Sequence, residues 1–323
     1  MKRIAVLTSG GDAPGMNAAI RTIVRLGINE GWDVFGVRNG YSGLLEDKIE
    51  PLSARDVGNI LQRGGTFLGS ARFPEWKEEP IRQQALANLE RHGIEALVVI
   101  GGNGSQTGAH ALSDMGFPVV GVASTIDNDL ACTEITIGVD TALNIALESI
   151  DRLRTTASSH KRAFVVEVMG RKCGYLALMA GIAGGAEAIL IPEAEVNPDD
   201  IANALEAAYS RGKQHALIVV AEGATLNAAG LLKHFESHKG RRGFDLRATT
   251  LGHVQRGGVP GAFDRLLATR LSAGAIESLA RGRHGCLIGL IQGEVRATPL
   301  ETVITSVKPI DLKLLKMARI LAA

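Results

Sequence analysis

Two aspartates separated by one residue, in the run Thr125-Ile126-Asp127-Asn128-Asp129, form the sharpest chemical signal in the chain. One carboxylate can take a proton from a hydroxyl while the other acts as an electrostatic or metal-side group, which suits attack on a phosphate held by a divalent cation. An acidic helix cap or a solvated turn is the competing reading of the same residues.

Glycine-rich turns supply complementary chemistry. Gly10-Gly11 and Gly101-Gly102-Asn103-Gly104-Ser105 let the backbone approach a phosphate chain and aim amides at it. Neither is a Walker A loop, and each alone also fits a plain strand-to-helix turn; together they favour phosphate. Arg63-Gly64-Gly65-Thr66 and Ser70-Ala71-Arg72 add another glycine turn and a cation for a nucleotide or a transferring phosphoryl group. In His253-Val254-Gln255-Arg256-Gly257-Gly258 an imidazole and a guanidinium flank a turn, the groups expected to grip a phosphate monoester. Taken singly, a structural histidine, a surface arginine and a solvated basic run at His160-Lys161-Arg162 are the plainer readings.

Such loops need rigid elements behind them. Val/Ile/Leu-rich runs at 4–8, 96–100, 119–122, 163–168, 188–191, 216–220 and 286–291 read as buried parallel strands. Helix-length stretches at 15–30, 80–92, 140–156, 198–211 and 262–279 lie between them. The alternation predicts doubly wound α/β sheets, whose ligands sit beyond the carboxyl ends of the strands. Of the loops named above, Gly10-Gly11, Gly101 through Ser105 and Thr125 through Asp129 follow such strands, as do Met169-Gly170-Arg171 and Glu222-Gly223.

A chain of 323 residues exceeds the usual single compact domain. The pattern restarts near 137–140, so two tightly packed lobes with a cleft between them are expected, with a short polar connection over 234–242. With 35 basic against 34 acidic residues, the net charge of +1 gives no global field toward nucleic acid or anionic lipid, so neither is an expected partner. Three cysteines without metal-ligand spacing, Cys132, Cys173 and Cys286, fit a reducing compartment. The amino-terminal apolar run reads as the first strand, and no run approaches the roughly 20 residues needed to span a bilayer, so a cytoplasmic location is expected.

Five longer motifs, in order, resemble the bacterial-type 6-phosphofructokinase family: Leu7 through Asn17, Thr125 through Asp129, Val166 through Arg171, Ala221-Glu222-Gly223 and Leu251 through Gly258. The similarity runs nearly end to end and fades near the carboxyl terminus. It implies two Rossmann-like lobes with mainly parallel sheets, residues 1–138 plus about 255–305 binding nucleotide and 139–254 plus about 306–323 binding sugar phosphate. It also implies ATP-dependent phosphorylation of the 1-hydroxyl of fructose 6-phosphate in glycolysis, with Mg²⁺. By resemblance Asp127 is the base, Thr125 and Arg171 lie beside the transferring group, and Gly11 and Arg72 stabilise its charge. Phe73, Gly102, Asn103, Gly104 and Ser105 join Gly11 and Arg72 in donor binding. Ile126, Met169, Gly170, Arg171 and Glu222 position the sugar; Arg162, Arg247, His253 and Arg256 grip chiefly its 6-phosphate, Arg162 and Arg247 from a neighbouring subunit. Arg21, Arg25, Arg154, Glu187, Arg211 and Lys213 match an effector pocket for nucleoside diphosphate or phosphoenolpyruvate in a homotetramer.

Two departures bear on the donor. Asn103 stands where many ATP-using relatives carry a Mg²⁺-associated aspartate, so metal contact there falls to its carbonyl oxygen, with Asp129 as a second group. Position 124 is serine, neither the glycine of the ATP pattern nor the lysine of the pyrophosphate pattern, while Gly104 is retained where pyrophosphate users place aspartate. ATP is the first expectation, with ADP or pyrophosphate as alternatives, and a catalytically weak regulatory paralogue as the rival motivated by Asn103. A kinase of the NAD-kinase type does not explain the sugar-phosphate motifs. A dinucleotide-dependent oxidoreductase lacks its Gly-x-Gly-x-x-Gly after the first strand.

Overall fold

Short runs of β-branched residues closed by glycine or a small polar residue fold as strands buried on both faces, because helices cover each side of a parallel sheet. The computed structural model describes residues 3–160, 163–213, 215–237 and 246–322. The chain divides into two units, Met1–Thr141 with Arg256–Lys308, and Ala142–Gln255 with Pro309–Ala323.

The first unit contains β1 (Arg3–Thr8), α1 (Met16–Asn29), β2 (Asp33–Val37), α2 (Gly40–Leu45), β3 (Ile49–Pro51), α3 (Glu79–Arg91), β4 (Ala96–Gly101), α4 (Asn103–Asp114) and β5 (Val119–Ala123). The helix α5 (Val139–His160) begins in it and continues in the second unit. The second unit adds β6 (Ala163–Val168), α6 (Tyr175–Ala183), β7 (Ala188–Leu190), α7 (Pro198–Ser210), β8 (Ala216–Ala221), α8 (Ala228–Ser237) and β9 (Leu246–Thr250). The chain then returns to the first unit with α9 (Ala262–Ala280), β10 (Cys286–Ile291), β11 (Glu294–Pro299) and α10 (Leu300–Thr305), and ends in the second with α11 (Leu312–Ala322).

The seven-stranded sheet of the first unit has the order β11-β10-β5-β4-β1-β2-β3, antiparallel only at its two edges. From β1 the chain builds outward to β2 and β3 on one side and restarts at β4 on the other. The loops after β1 and β4 therefore diverge at a topological switch point, where open α/β sheets bind ligands. One face of α1, with Met16, Ile20, Ile23, Val24 and Gly27, is buried. A Cβ on Gly27 would lie 2.7 Å from Val34, so glycine lets the helix approach β2 closely.

The four-stranded sheet of the second unit, β7-β8-β6-β9, is wholly parallel. Its core gathers Val165, Leu190, Ile201, Leu205, Ile218, Val220 and Leu231. The start of α7 follows local chemistry: Pro198 occupies the first turn and the Asn197 side chain accepts from the Asp199 amide at 3.0 Å.

All seven expected strands and all five expected helices form, within a few residues of their expected bounds. Among the elements absent from the sequence reading, three strands depend on their surroundings. Gly36 interrupts β2 and makes room for Leu52 and Leu68, each 2.7 Å from where its Cβ would be. The largely exposed β9 owes its form to pairing with β6. The edge strand β11 is set by the two-residue turn Gln292-Gly293, both at positive φ (54° and 73°), which matches the twist of a hairpin. The polar connection expected at 234–242 begins within α8 and otherwise lies outside the described residues. Among the described residues no helix is long and apolar enough to cross a membrane.

Candidate functional site

The switch point of the first unit opens into a cavity of about 740 Å³. The loop after β1 contributes Gly10 and Gly11, the loop after β4 and the first turn of α4 contribute Gly102, Asn103, Gly104 and Ser105, and the loop after β5 contributes Thr125, Asp127 and Asp129. Arg72, Phe73 and Arg256 complete the set of expected residues that share this space. Amide groups at the start of α4 lack intrahelical acceptors, so this end of the cavity favours an anion. A Cβ on Gly104 would meet nothing within 4 Å, whereas one on Gly101 would lie 2.3 Å from the Ser105 Oγ and 2.7 Å from the Ser9 carbonyl. Gly101 therefore serves packing, and Gly104 leaves the cavity open.

Strict alternation presents the paired carboxylates. Thr125, Asp127 and Asp129 are half-buried on the cavity, while Ile126, Asn128 and Leu130 between and after them are buried. Asn128 carries the bend in the left-handed region, at φ 50°. Its amide nitrogen donates to the Glu134 carbonyl at 3.2 Å, and its carbonyl oxygen accepts from the Thr136 amide at 3.2 Å and from the Lys308 Nζ at 2.9 Å. The Thr136 hydroxyl donates to the Thr125 carbonyl at 2.6 Å. Ile126, expected among the substrate contacts, turns its side chain fully into the core. The Ser124 hydroxyl donates to the Ile137 carbonyl at 3.2 Å, which accounts for its polar group structurally.

The loop bearing Arg72 is fastened to β1 and α1. Thr8 Oγ1 donates to the Gly69 carbonyl at 2.8 Å, Asn17 Oδ1 accepts from the Phe67 amide at 2.6 Å, and the Ser70 hydroxyl bonds the Gly10 carbonyl. Arg256 Nη1 donates to the Asp12 carbonyl at 2.9 Å, so this guanidinium stands beside Gly11 within the cavity.

In the second unit the loops after β6 and β8 lock together. Gly170 adopts φ 136°, the Glu222 amide donates to the Val168 carbonyl at 2.9 Å, and the Gly223 amide donates to the Gly170 carbonyl at 3.2 Å. A Cβ on Gly223 would lie 2.0 Å from the Arg171 carbonyl oxygen, so glycine there sets how closely Met169-Gly170-Arg171 and Glu222 can sit. Buried Gln255 accepts from the Met169 amide at 2.7 Å, tying in the turn after β9 that carries exposed His253. Arg247 is not in this cluster: it pairs with Phe164 near the opposite end of the sheet. Five residues of strand separate that register from Met169, about 16 Å. Arg162 lies outside the described residues.

The phosphofructokinase family profile matches residues 3–279. The chain belongs to the phosphofructokinase family. It is 50% identical over 322 residues to an ATP-dependent 6-phosphofructokinase of Tolumonas auensis, covering 99% of each chain. It is 52% identical over 324 residues to ATP-dependent 6-phosphofructokinase 1 of Thermus thermophilus, covering 100% of each. A solved phosphofructokinase structure from Saccharomyces cerevisiae superposes with a TM-score of 0.87 at 41% identity, over 94% of this chain and 45% of that longer one. The two Rossmann-like lobes of phosphofructokinases agree with the two mainly parallel sheets found here.

Within this phosphofructokinase fold several cavity residues have no counterpart in the sequence reading: Tyr41, Trp76, Lys77 and Arg82. Tyr41 stacks on Trp76 with ring centroids 4.2 Å apart, and its hydroxyl donates to the Ser105 carbonyl at 2.6 Å. Burial pushes the Tyr41 phenol well above its ordinary pKa. Gly108 makes this packing feasible, since its Cβ would fall 2.8 Å from both rings. The legible signal was the placing of Trp76, one of two tryptophans, just after Arg72-Phe73.

Among the described residues no group of three or more His, Cys, Asp or Glu side chains could hold a metal alone. Asn103, Asp127 and Asp129 offer oxygens on one cavity wall, with the Asn103 amide nitrogen 3.4 Å from the Asp129 carbonyl. That donor set fits a hard divalent cation completed by phosphate oxygens and water.

The expected effector residues divide between the units. Arg21 and Arg25 lie on α1, and Arg25 donates to the Ala54 carbonyl at 3.4 Å. In the second unit Glu187 and Arg211 share a cavity of about 450 Å³. Glu187 is buried, pairs with Lys213 Nζ at 2.8 Å and accepts from the Leu217 amide at 2.6 Å. Arg154 lies against Gly185, whose Cβ would be 3.1 Å from its Nη2.

Proposed function

We propose that this protein is an ATP-dependent 6-phosphofructokinase that transfers the γ-phosphoryl group of ATP to the 1-hydroxyl of fructose 6-phosphate, giving fructose 1,6-bisphosphate and ADP. The observation that carries the donor assignment is the continuity of one cavity from the aromatic pair Tyr41–Trp76 to Asp127 and Arg72, with open space at Gly104. The Phe73–Trp76 end suits a nucleobase, and the amides of Gly11, Gly102, Asn103 and Gly104 suit the phosphates. Pyrophosphate as donor would leave the aromatic end without a purpose.

In this reading Asp127 accepts the proton of the 1-hydroxyl as its oxygen attacks phosphorus, and Thr125 and Arg171 align the transferring group. Arg72 and Gly11 stabilise the charge spread over the three equatorial oxygens, which matters most in a loose phosphoryl transition state. Asn103 and Asp129, through water or directly, would hold Mg²⁺ carried by the nucleotide. That ion would neutralise charge on the β- and γ-phosphate oxygens.

Met169, Gly170, Arg171, Glu222 and His253 of the second unit are assigned to binding the sugar phosphate, and Arg256 is assigned to its 6-phosphate. Arg247, about 16 Å along the sheet from Met169, is assigned to a neighbouring subunit's site, as is Arg162. Exposed Val259, Phe263 and Leu266 support subunit contact within a homotetramer. Arg21, Arg25, Arg154, Glu187, Arg211 and Lys213 are assigned to an effector site for a nucleoside diphosphate or phosphoenolpyruvate, and the cytoplasm is the proposed location.

The test is a coupled assay of purified protein with fructose 6-phosphate, comparing ATP, ADP and pyrophosphate with and without Mg²⁺. Turnover with ATP that is lost on chelation and restored by Mg²⁺ is expected. Turnover with ADP or pyrophosphate alone relocates the donor, and no turnover with any donor overturns the assignment.

A further inference from the structure

The chain segment that leaves the first unit for the last time ends at Lys308, and the Lys308 ammonium reaches back to the loop that bears the two aspartates. Its Nζ donates to Asn128 Oδ1 at 2.9 Å and to the Glu134 carbonyl at 2.9 Å, across 180 and 174 residues of sequence. We propose that Lys308 is a positioning residue for Asp127, acting through Asn128; the inference rests on the reading of Asp127 as the base.

Asn128 is 2% exposed and is the residue of the 125–129 run that takes the left-handed backbone conformation. A non-glycine residue stays there only when its surroundings over-determine it. Three anchors act on its side chain: the Glu134 carbonyl on the amide nitrogen, and the Thr136 backbone amide and Lys308 on the oxygen. The Thr136 hydroxyl also lies 3.4 Å from that oxygen. Asp127 and Asp129 are its immediate neighbours, so rotation at Asn128 swings both carboxylates relative to Arg72 and the amides of α4. The lysine bond is the charge-assisted one, and it is the only anchor of the Asn128 side chain from outside residues 134–136 among the described residues. Lys308 also grips the Glu134 carbonyl that receives the Asn128 amide, so it braces both sides of the same carboxamide.

Half-buried Lys308 is not among the residues that line the cavity, so replacing it removes no group from the donor site. Misplacing a base by a fraction of an ångström lowers turnover while leaving ground-state binding nearly intact. Lys308→Met keeps the apolar stem and deletes the donor and charge. It is expected to lower kcat by about tenfold, with KM for ATP and fructose 6-phosphate within about twofold and the melting temperature within a few degrees. Lys308→Arg, which restores a cationic donor, should recover most of kcat.

Asn128→Gly tests the route, because glycine keeps the left-handed backbone and removes the carboxamide. The double variant Lys308→Met with Asn128→Gly should lose no more kcat than Asn128→Gly alone. A Lys308→Met enzyme with wild-type kcat, a loss that follows melting temperature and KM together, or additive losses in the double variant each overturn the proposal. Should Lys308→Met fail to fold, Lys308→Gln is put through the same comparison, with the same outcomes deciding. A wild-type protein without phosphoryl transfer strikes at the assigned reaction, whereas an active wild type with indifferent Lys308 variants strikes only at this inference.

Discussion

Arg256 occupies the volume that a side chain on Gly11 would need: a Cβ built on Gly11 would fall 1.9 Å from Nη1 and 2.6 Å from Cζ of the arginine. The pair joins the loop after β1 to the turn after β9, and the bond to the Asp12 carbonyl holds the guanidinium there. Gly11→Ala should therefore displace the arginine without disrupting the fold, since the clash is with the flexible end of a side chain. The expected result is a fall of about a hundredfold in kcat/KM for fructose 6-phosphate with the melting temperature nearly unchanged. Steady-state kinetics beside a thermal melt check it, and near-normal kcat/KM would show that the arginine's position does not matter.

Asp127→Ser removes the proposed base and leaves a small polar residue in a half-buried position. General-base loss predicts kcat reduced by roughly 10³-fold, while KM for the sugar changes by less than about threefold. If the purified variant turns over at a near-normal rate with saturating substrates, Asp127 is not the base.

Gly104→Asp places a carboxylate into open space at the phosphate end of the cavity, with no neighbouring atom within 4 Å of its Cβ. Charge repulsion and lost volume should raise KM for ATP by about tenfold or more and leave the sugar KM in place. An unaltered ATP KM would mean that the triphosphate lies elsewhere.

Asp264, fully buried on α9, ties that helix to the start of α5. Its oxygens accept from the Gly138 amide at 2.8 Å, the Thr141 amide at 2.8 Å and the Thr141 hydroxyl at 2.6 Å. Truncation to alanine leaves buried donors unpaired and should cost about 3 kcal/mol in urea unfolding. Burial raises its pKa above the ordinary carboxylate value, against the lowering effect of these hydrogen bonds and with a smaller raising effect of Asp140. A carboxyl whose folded-state pKa is raised contributes most below its unfolded value, and the contribution is lost as pH rises through the folded one. The stability gap between wild type and Asp264→Asn should thus narrow as pH rises from about 4 into the neutral range. A gap that widens over that interval contradicts the assignment.

The legibility of the site differed by residue for physical reasons. Gly11, Asn103 and Asp127 announce themselves because glycine and polar groups stand just after apolar strand runs, and Arg72 and Arg256 because each guanidinium accompanies a glycine-rich turn. Tyr41 and Trp76 carry no such mark, since aromatic residues more often serve the core; only the stack between them and the missing Cβ of Gly108 place them on the cavity wall. Ile126 shows the opposite case, for it lies inside the motif yet faces the core, as alternation along the loop dictates.

By itself the sequence determined the α/β alternation, the strands buried on both faces and the loops that carry charge and glycine, because those depend on short-range periodicity and on backbone freedom at single positions. Which loops meet was decided only by the tertiary structure. The order β5-β4-β1-β2 brings Gly11, Asn103 and Asp127 to one switch point, and the register of β6 with β9 sends Arg247 away from Met169. Lys308 reaches Asn128 across 180 residues through a contact that no local pattern encodes. Strand order, register and long-range hydrogen bonds are set by how whole faces bury one another, and that information is spread over the chain rather than written at any residue that uses it.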